Sequence, residues 1–258
     1  MYAGASVRAP GGARGMKLLG VSLQIHKWVA LVVGLQVLFW VAGGVVMTVL
    51  PIERVRSEHH QAKPAPAPLD LSRTLTARQA ADRARVAAPA SALLKSTGRG
   101  PVWVITGADG KAKTLDAVTG APAPTLGESD ARRLAAAAYV GSGVPVAARY
   151  YPEAPNETGR EGPLWRVDFD DAERTAFYLD PLTGEVATRR SEVWRFYDFF
   201  WRLHILDFKD GDNFNHPLLV TLAALTLPVV LTGFILLWIR LGRDLKAALG
   251  KRRRAAAP

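Results

Sequence analysis

Two long apolar segments without a single charged side chain enclose the middle of this 258-residue chain: residues 28–50 and 217–239, 23 residues each. At ~1.5 Å rise per residue a helix of that length spans about 34 Å, enough to cross a ~30 Å hydrocarbon core with some tilt. The charges are distributed to match. Arg8, Arg14, Lys17 and Lys27 precede the first segment, with no acid among them. Seven Lys/Arg and only Asp244 follow Pro217, while the 166 residues between the segments carry 22 basic and 22 acidic side chains. The net charge of +10 therefore lies wholly at the two ends. Cytoplasmic flanks of membrane helices retain Lys and Arg. The expected layout has both termini in the cytoplasm and one large, electrically neutral domain on the outer side.

That distribution also disposes of a nucleic-acid partner. The basic residues flank helices, as in Lys251-Arg252-Arg253-Arg254, where they set topology and meet lipid headgroups. The chain has no cysteine, which removes disulfides, thiolate metal sites, iron–sulfur centres and thiol nucleophiles. The first apolar segment is longer than the ~7–15 residues of a signal peptide's apolar region. It continues into Pro51-Ile52-Glu53-Arg54 with no small-x-small cleavage site, so an uncleaved anchor is expected.

Between the anchors the pattern repeats itself. Residues 53–60 are charged, and Lys63-Pro64-Ala65-Pro66-Ala67-Pro68 reads as a stiff, extended linker. Thr76 is placed to cap an Ala/Arg-rich helix reaching about Ala88. Strands are expected over 101–106 and 112–115, closing in Asp116-Ala117-Val118-Thr119-Gly120. A second copy follows: Ser129-Asp130 caps a helix to Val140, strands run over 146–151, 164–169 and 175–179, and the end is Asp180-Pro181-Leu182-Thr183-Gly184. Turn chemistry explains both endings, since Asp bonds to the backbone ahead of it and Gly takes positive φ. From Trp194 an aromatic and basic run, Trp194-Arg195-Phe196-Tyr197-Asp198-Phe199-Phe200-Trp201-Arg202-Leu203-His204, reads as an amphipathic approach to the membrane surface. Four-residue spacings of small side chains, Ala30/Gly34 and Gly44/Thr48, predict a packing face between the two membrane helices.

Helix–strand–strand repeats ending in Asp-x-x-Thr-Gly resemble the PepSY domain. The flanking helices resemble the PepSY-associated transmembrane family. The likeness is carried by His26-Lys27-Trp28 entering helix one, and by Trp201-Arg202-Leu203-His204-Ile205-Leu206-Asp207 with Phe214-Asn215-His216-Pro217-Leu218-Leu219 entering helix two. It covers about residues 17–242. The resulting expectation is an α+β chain, with two transmembrane helices flanking a periplasmic PepSY-like domain of helix plus antiparallel strand repeats. Its divisions are a disordered cytoplasmic tail (1–16), helix one (17–50), a charged and Pro-rich linker (51–68), the folded domain (69–192, repeats about 69–122 and 123–190), an interfacial aromatic segment (193–216), helix two (217–241) and a basic tail (242–258). The resemblance implies a bacterial inner-membrane protein.

What the family implies for function divides in two. Soluble PepSY modules of peptidase propeptides inhibit or chaperone, which suggests a binding or accessory module, here in an iron-uptake or redox system. No His-Glu-x-x-His or Gly-x-Ser-x-Gly accompanies it. Larger relatives with four membrane helices resemble siderophore-iron (ferric) reductases that carry haem b on helix histidines. This chain has half the helices, and no flavin or nicotinamide site is recognisable in it. The candidate haem ligands are His26 at the inner end of helix one, and His204 and His216 at the outer ends; a homodimer would supply missing partners. The competing account makes them interfacial anchors and caps. His59 and His60 are a candidate metal pair lacking a third ligand at fixed spacing. Asp168, Asp170, Asp171 and Glu173 form an acidic run that would suit a cation or a solvated hairpin turn. The expected partners are the lipid bilayer and either a second copy or another membrane or periplasmic protein.

Overall fold

The computed structural model describes the backbone of residues 12–62, 68–209, 211 and 213–255; the side chains of 12–23, 25, 26, 236 and 249–255 lie outside the described set. Two compact units result: Met1–Met47 with Phe200–Pro258, and Thr48–Phe199.

The first unit is helical. Its long elements are α1 (Gly12–Val49) and α6 (Pro217–Ala255). Within them Lys27–Val49 and Pro217–Ala248 are long and apolar enough to cross a membrane, each with a mean hydropathy of 2.3. Leu31, Leu35, Leu38, Phe234 and Trp238 stand exposed along them. Water does not tolerate apolar surface on that scale, and lipid does. Among the described side chains only narrow stripes are buried, at Val33, Gln36 and Gly43 on α1 and at Thr226 on α6. The small-residue packing face falls elsewhere than its sequence spacing suggests. A Cβ at Gly34 or Gly44 would meet nothing within 4 Å, whereas at Gly43 it would meet His204 Nδ1 at 3.1 Å and the Phe200 carbonyl at 3.3 Å. The close neighbour at Gly43 is therefore α5 (Glu192–Ile205), the helix formed by the aromatic and basic run.

The second unit holds the two repeats. In the first, α3 (Ala77–Ala84) covers the sheet β1 (Pro89–Thr97), β2 (Gly100–Gly107), β3 (Ala112–Asp116), in order β1-β2-β3. In the second, α4 (Glu128–Ala138) covers β4 (Pro145–Tyr151), β5 (Leu164–Phe169), β6 (Ala176–Leu179), β7 (Val186–Arg190), in order β4-β5-β6-β7. Every pairing is antiparallel. Alanines on each helix permit close approach to the sheet. Ala80, Ala81 and Ala84 lie against Trp103, Ile105 and Leu115 in the first core. Ala131, Leu134 and Ala135 lie against Trp165, Val167, Phe169 and Phe177 in the second. One clasp recurs: Trp103 Nε1 donates to the Leu75 carbonyl (3.0 Å) and Trp165 Nε1 to the Leu126 carbonyl (3.1 Å), tying each sheet to the chain entering its helix.

Thr76 caps α3 as its position predicts, in a reciprocal capping box with Gln79. The cap of α4 is displaced. Gly127 occupies the N-cap with no side-chain hydrogen bond, and Ser129 and Asp130 fall within the helix, where Glu128 and Asp130 still complement the N-terminal dipole. Both repeat endings are the turns their chemistry dictates. Asp116 accepts from the Val118 and Thr119 backbone, and Asp180 from that of Leu182 and Thr183. Gly120 and Gly184 each sit at φ +72°. Strands β1 and β7 escape sequence inspection. The helix expected to reach Ala88 ends at Ala84, and the Pro-Ala-Ser start of β1 has no period-two alternation.

The segment expected as a linker is in part folded. Helix α2 (Ile52–Val55) buries Val55, and the 3₁₀ turn Glu58–His60 leads into a bridge between Gln61 and Tyr139. Ala62 N donates to the Ala138 carbonyl (2.9 Å) and Val140 N to the His60 carbonyl (2.8 Å). Most of the Pro-rich stretch, residues 63–67, lies outside the described residues.

Candidate functional site

The sequence-identified histidines separate into two places. In the helical unit, His204 on α5 and Trp40 on α1 hold each other. Trp40 Nε1 donates to the His204 carbonyl (2.7 Å), and His204 Nδ1 lies 3.2 Å from the Trp40 carbonyl. A ring nitrogen facing a carbonyl carries the proton, so Nδ1–H is the donor and Nε2 keeps its lone pair. Metal-ligating histidines are oriented in this way.

His216 is differently employed. Its Nε2 lies 2.9 Å from the Ile205 carbonyl, and the Leu219 backbone N–H donates to its Nδ1 (3.4 Å). It caps α6 and ties that helix to the end of α5, with both ring nitrogens engaged. Other residues of the junction motif build the same turn. The half-buried Trp201 donates to the Gly211 carbonyl (2.9 Å), while the buried Asp207 carboxylate accepts from the backbone of Lys209, Gly211 and Asn213. The side chain of His26 lies outside the described residues. Tested against haem b, whose iron takes axial ligands from side chains such as histidine, the described residues offer His204 as one suitably oriented nitrogen and His216 as a ring already spent.

The second place is in the folded unit. His59 and His60 come together with Glu173, 113 residues or more further on, and their ligand atoms all lie within 4.8 Å of one another. His59 Nε2 and His60 Nε2 are each 3.4 Å from Glu173 Oε2, and His60 Nε2 is 3.7 Å from Asp171 Oδ2. Two tight turns deliver these residues. Ser57 at φ +53° turns α2 into the 3₁₀ turn bearing both histidines, and Arg174 at φ +47° follows Glu173 in the β5–β6 connection.

The surroundings orient each group. Arg54 Nη2 binds Glu173 Oε1 at 3.2 Å, leaving Oε2 facing the histidines. His60 Nδ1 lies 3.4 Å from the Val140 carbonyl, and the His60 ring stacks on Tyr139. Tyr139 donates to Asp171 Oδ2 (2.8 Å) and the Thr175 backbone donates to Asp171 Oδ1 (2.7 Å). Burial pushes the Asp171 carboxyl up, but hydrogen bonds from Thr175 and Tyr139, with nearby His60, outweigh it and hold the group below the usual carboxylate range. Burial, then the bond to Asp171, pushes the Tyr139 hydroxyl up to about 12.

The acidic run thus forms a hairpin connection whose carboxylates point to different partners. Asp168 pairs with Arg166 (2.7 Å), Asp170 accepts from Val144 N (2.6 Å), and Asp171 and Glu173 face the histidines. Sequence inspection finds the histidine pair and the acidic run but not their meeting. Nearby, a depression of about 420 Å³ includes Glu157, Arg166, Arg174, Glu192 and Arg195 in its lining. Glu157 serves both Arg166 and Arg195 at 3.4 Å, and Arg195 also meets Glu192 at 3.1 Å. Charge there is largely neutralised internally, as in a structural ion-pair network.

No curated protein and no solved structure matches the chain. Two exposed apolar helices, a repeated helix-and-antiparallel-sheet unit and the histidine-bearing junctions agree with the family comparison. The model of the PepSY-associated TM region matches residues 23–257, and the chain belongs to that family of membrane proteins.

Proposed function

We propose that this chain is an inner-membrane-anchored PepSY module with both termini cytoplasmic and the folded unit periplasmic, acting as a binding or accessory subunit of an iron-uptake or redox membrane system. The charge asymmetry of the two ends supports the orientation. The observation that carries the accessory role is the state of His216. Both its nitrogens are committed to the fold, so among the described side chains of the helical unit His204 offers the one oriented axial nitrogen. A self-contained haem carrier with two histidine ligands needs a second. The edge strands β1 and β4, with Leu93, Val146 and Tyr150 exposed on them, support the binding half of the reading, because an open strand edge presents main-chain donors and acceptors to a partner.

A second reading, haem b electron transfer in a ferric reductase-type dimer, is favoured by His204 alone, one such histidine coming from each copy. An absorption spectrum of the full chain, purified in detergent from haem-replete cells, separates the two. The accessory reading expects no reducible Soret band. A stoichiometric Soret band that disappears in His204→Ala and persists in His216→Ala establishes the dimer reading instead.

A further inference from the structure

We propose that His59, His60 and Glu173 form a binding site for a divalent first-row transition ion of Zn²⁺ type, with one coordination position left for water or a ligand atom. Nitrogen and oxygen ligands about 2.0–2.2 Å from a tetrahedral ion lie about 3.3–3.5 Å from one another. Both histidine Nε2 atoms stand 3.4 Å from Glu173 Oε2. A direct charge-assisted hydrogen bond closes to about 2.7–2.9 Å, and an octahedral ion with similar bond lengths brings neighbouring ligands to about 3.0 Å. These two spacings suit ligands around a shared tetrahedral centre better than either, and the remaining histidine–histidine pair lies within 4.8 Å.

His60 Nε2 and Glu173 Oε2 are shut off from solvent and have no hydrogen-bond partner among the described residues. Buried polar atoms are nearly always paired, and a cation satisfies both at once. Protonation is the competing account, but a single histidinium on Glu173 and Asp171 would close to charge-assisted distances rather than 3.4 and 3.7 Å, and protonating both sets two charged rings 4.0 Å apart between centroids. Two positive charges at that separation repel; two neutral imidazoles sharing an ion do not.

The outer contacts are those a metal site uses. The Val140 carbonyl beside His60 Nδ1 selects the tautomer whose Nε2 carries a lone pair. Arg54 occupies Glu173 Oε1 and leaves Oε2 as a one-oxygen ligand. Asp171, fixed by Tyr139 and Thr175, places a further carboxylate beside His60. Two imidazoles and a carboxylate suit transition ions, whereas Ca²⁺ and Mg²⁺ prefer all-oxygen shells. The His59 side chain is 41 % exposed, which provides a path for entry and an open position.

The site goes beyond the accessory reading and does not depend on it, since its probe involves neither haem nor a partner. The test is a Co²⁺ titration of the full chain in detergent, with any affinity tag removed and adventitious metal stripped by a chelator. The expected result is stoichiometric binding, with the intense visible bands of low-coordinate Co²⁺, displaced by Zn²⁺ and not by Ca²⁺. His59→Ala and Glu173→Gln each weaken binding by more than ~100-fold, and Asp171→Asn by about 10–100-fold, the range for outer-shell groups. Circular dichroism of His59→Ala, a half-exposed position, verifies that the fold survives. Absence of Co²⁺ binding by the wild type, weak octahedral bands, or binding that persists in both ligand variants overturns the proposal.

Discussion

Gly120 and Gly184 occupy the same turn in the two repeats at the same φ of +72°, yet replacing each with alanine should have different consequences. The conformational cost is common to both, about 1–2 kcal/mol for an L-residue in the left-handed region. The neighbours differ. At Gly120 a new Cβ would come to 2.8 Å from Leu75 Cδ1 and 3.0 Å from Arg83 Cγ, side chains near the surface that can swing aside. At Gly184 it would come to 2.5 Å from Leu134 Cδ1, while the other methyl of Leu134 already sits where a Cβ on Gly98 would be 2.8 Å away. Leu134 is buried in the second core and clamped between two glycines, so it yields only by disturbing that core. Overpacking of this kind costs about 1–3 kcal/mol. Gly184→Ala is therefore expected to destabilise by about 2–5 kcal/mol, and Gly120→Ala by about 1–2 kcal/mol. Urea unfolding of residues 48–199, followed by tryptophan fluorescence, measures both. In a Leu134→Ala background the two substitutions should cost the same, because the clamped methyl is gone. Equal costs in the wild-type background would refute the packing argument and leave only the shared φ.

Three further outcomes follow from the fold. Reporter fusions at Ala123 should read periplasmic and fusions after Pro258 cytoplasmic; an active cytoplasmic reporter at Ala123 reverses the proposed orientation. Residues 48–199, expressed alone, should melt cooperatively and at higher temperature than residues 69–190, which lack the buried Val55 and the bonds from Ala62 and Val140 to neighbouring backbone; equal melting temperatures would make residues 51–62 an appendage. Asp116 is held below the usual carboxylate range by the Thr119 backbone N–H first, then by the Thr119 hydroxyl and the Val118 N–H, against the opposing effect of burial. Its folded pKa lies below its unfolded value of ~3.9, so its stabilisation is fully present above pH ~4 and is lost as pH falls through the folded pKa. Asp116→Asn should thus be less stable than wild type at pH 7 and converge on it below pH ~4, and a gap independent of pH would assign the loss to something other than the carboxylate charge.

The parts of the fold that were legible in the sequence are those governed by local chemistry or by gross hydropathy. Charge-free apolar length and the bias of Lys and Arg mark α1 and α6. Thr76 ahead of an Ala/Arg-rich run marks the start of α3, and Asp-x-x-Thr-Gly marks both repeat endings. What was missed depends on tertiary partners. Strand β1 begins Pro-Ala-Ser with no alternation because it is an edge strand with its first five residues exposed, and its ladder with β2 holds it in place. Gly127 caps α4 through backbone geometry alone, which leaves no side-chain signature to read. Gly43 could not be distinguished from Gly44 by spacing, because the residue that needs the room is His204 on α5, more than 150 positions away.

The histidines show the same division at the level of function. Each was visible as a residue type with ligating chemistry, and the sequence left open which of them had a nitrogen to spare. That property is set by the atom opposite each ring. The Trp40 carbonyl takes the Nδ1 proton of His204 and leaves Nε2 available, whereas the Ile205 carbonyl and the Leu219 N–H use both sides of His216. For His59 and His60 the proposed third ligand was present in the sequence as part of an acidic run, but its four carboxylates look alike there. Partner choice separates them: Arg166 takes Asp168, Val144 takes Asp170, and Arg54 holds one oxygen of Glu173 while the other is left facing the histidines. A bridge between Gln61 and Tyr139 carries His60 to the end of α4, beside the Tyr139 hydroxyl that donates to Asp171 in the acidic run. The proposed metal site therefore depends on a backbone pairing that no motif announces, and disrupting that pairing should weaken Co²⁺ binding without altering any proposed ligand.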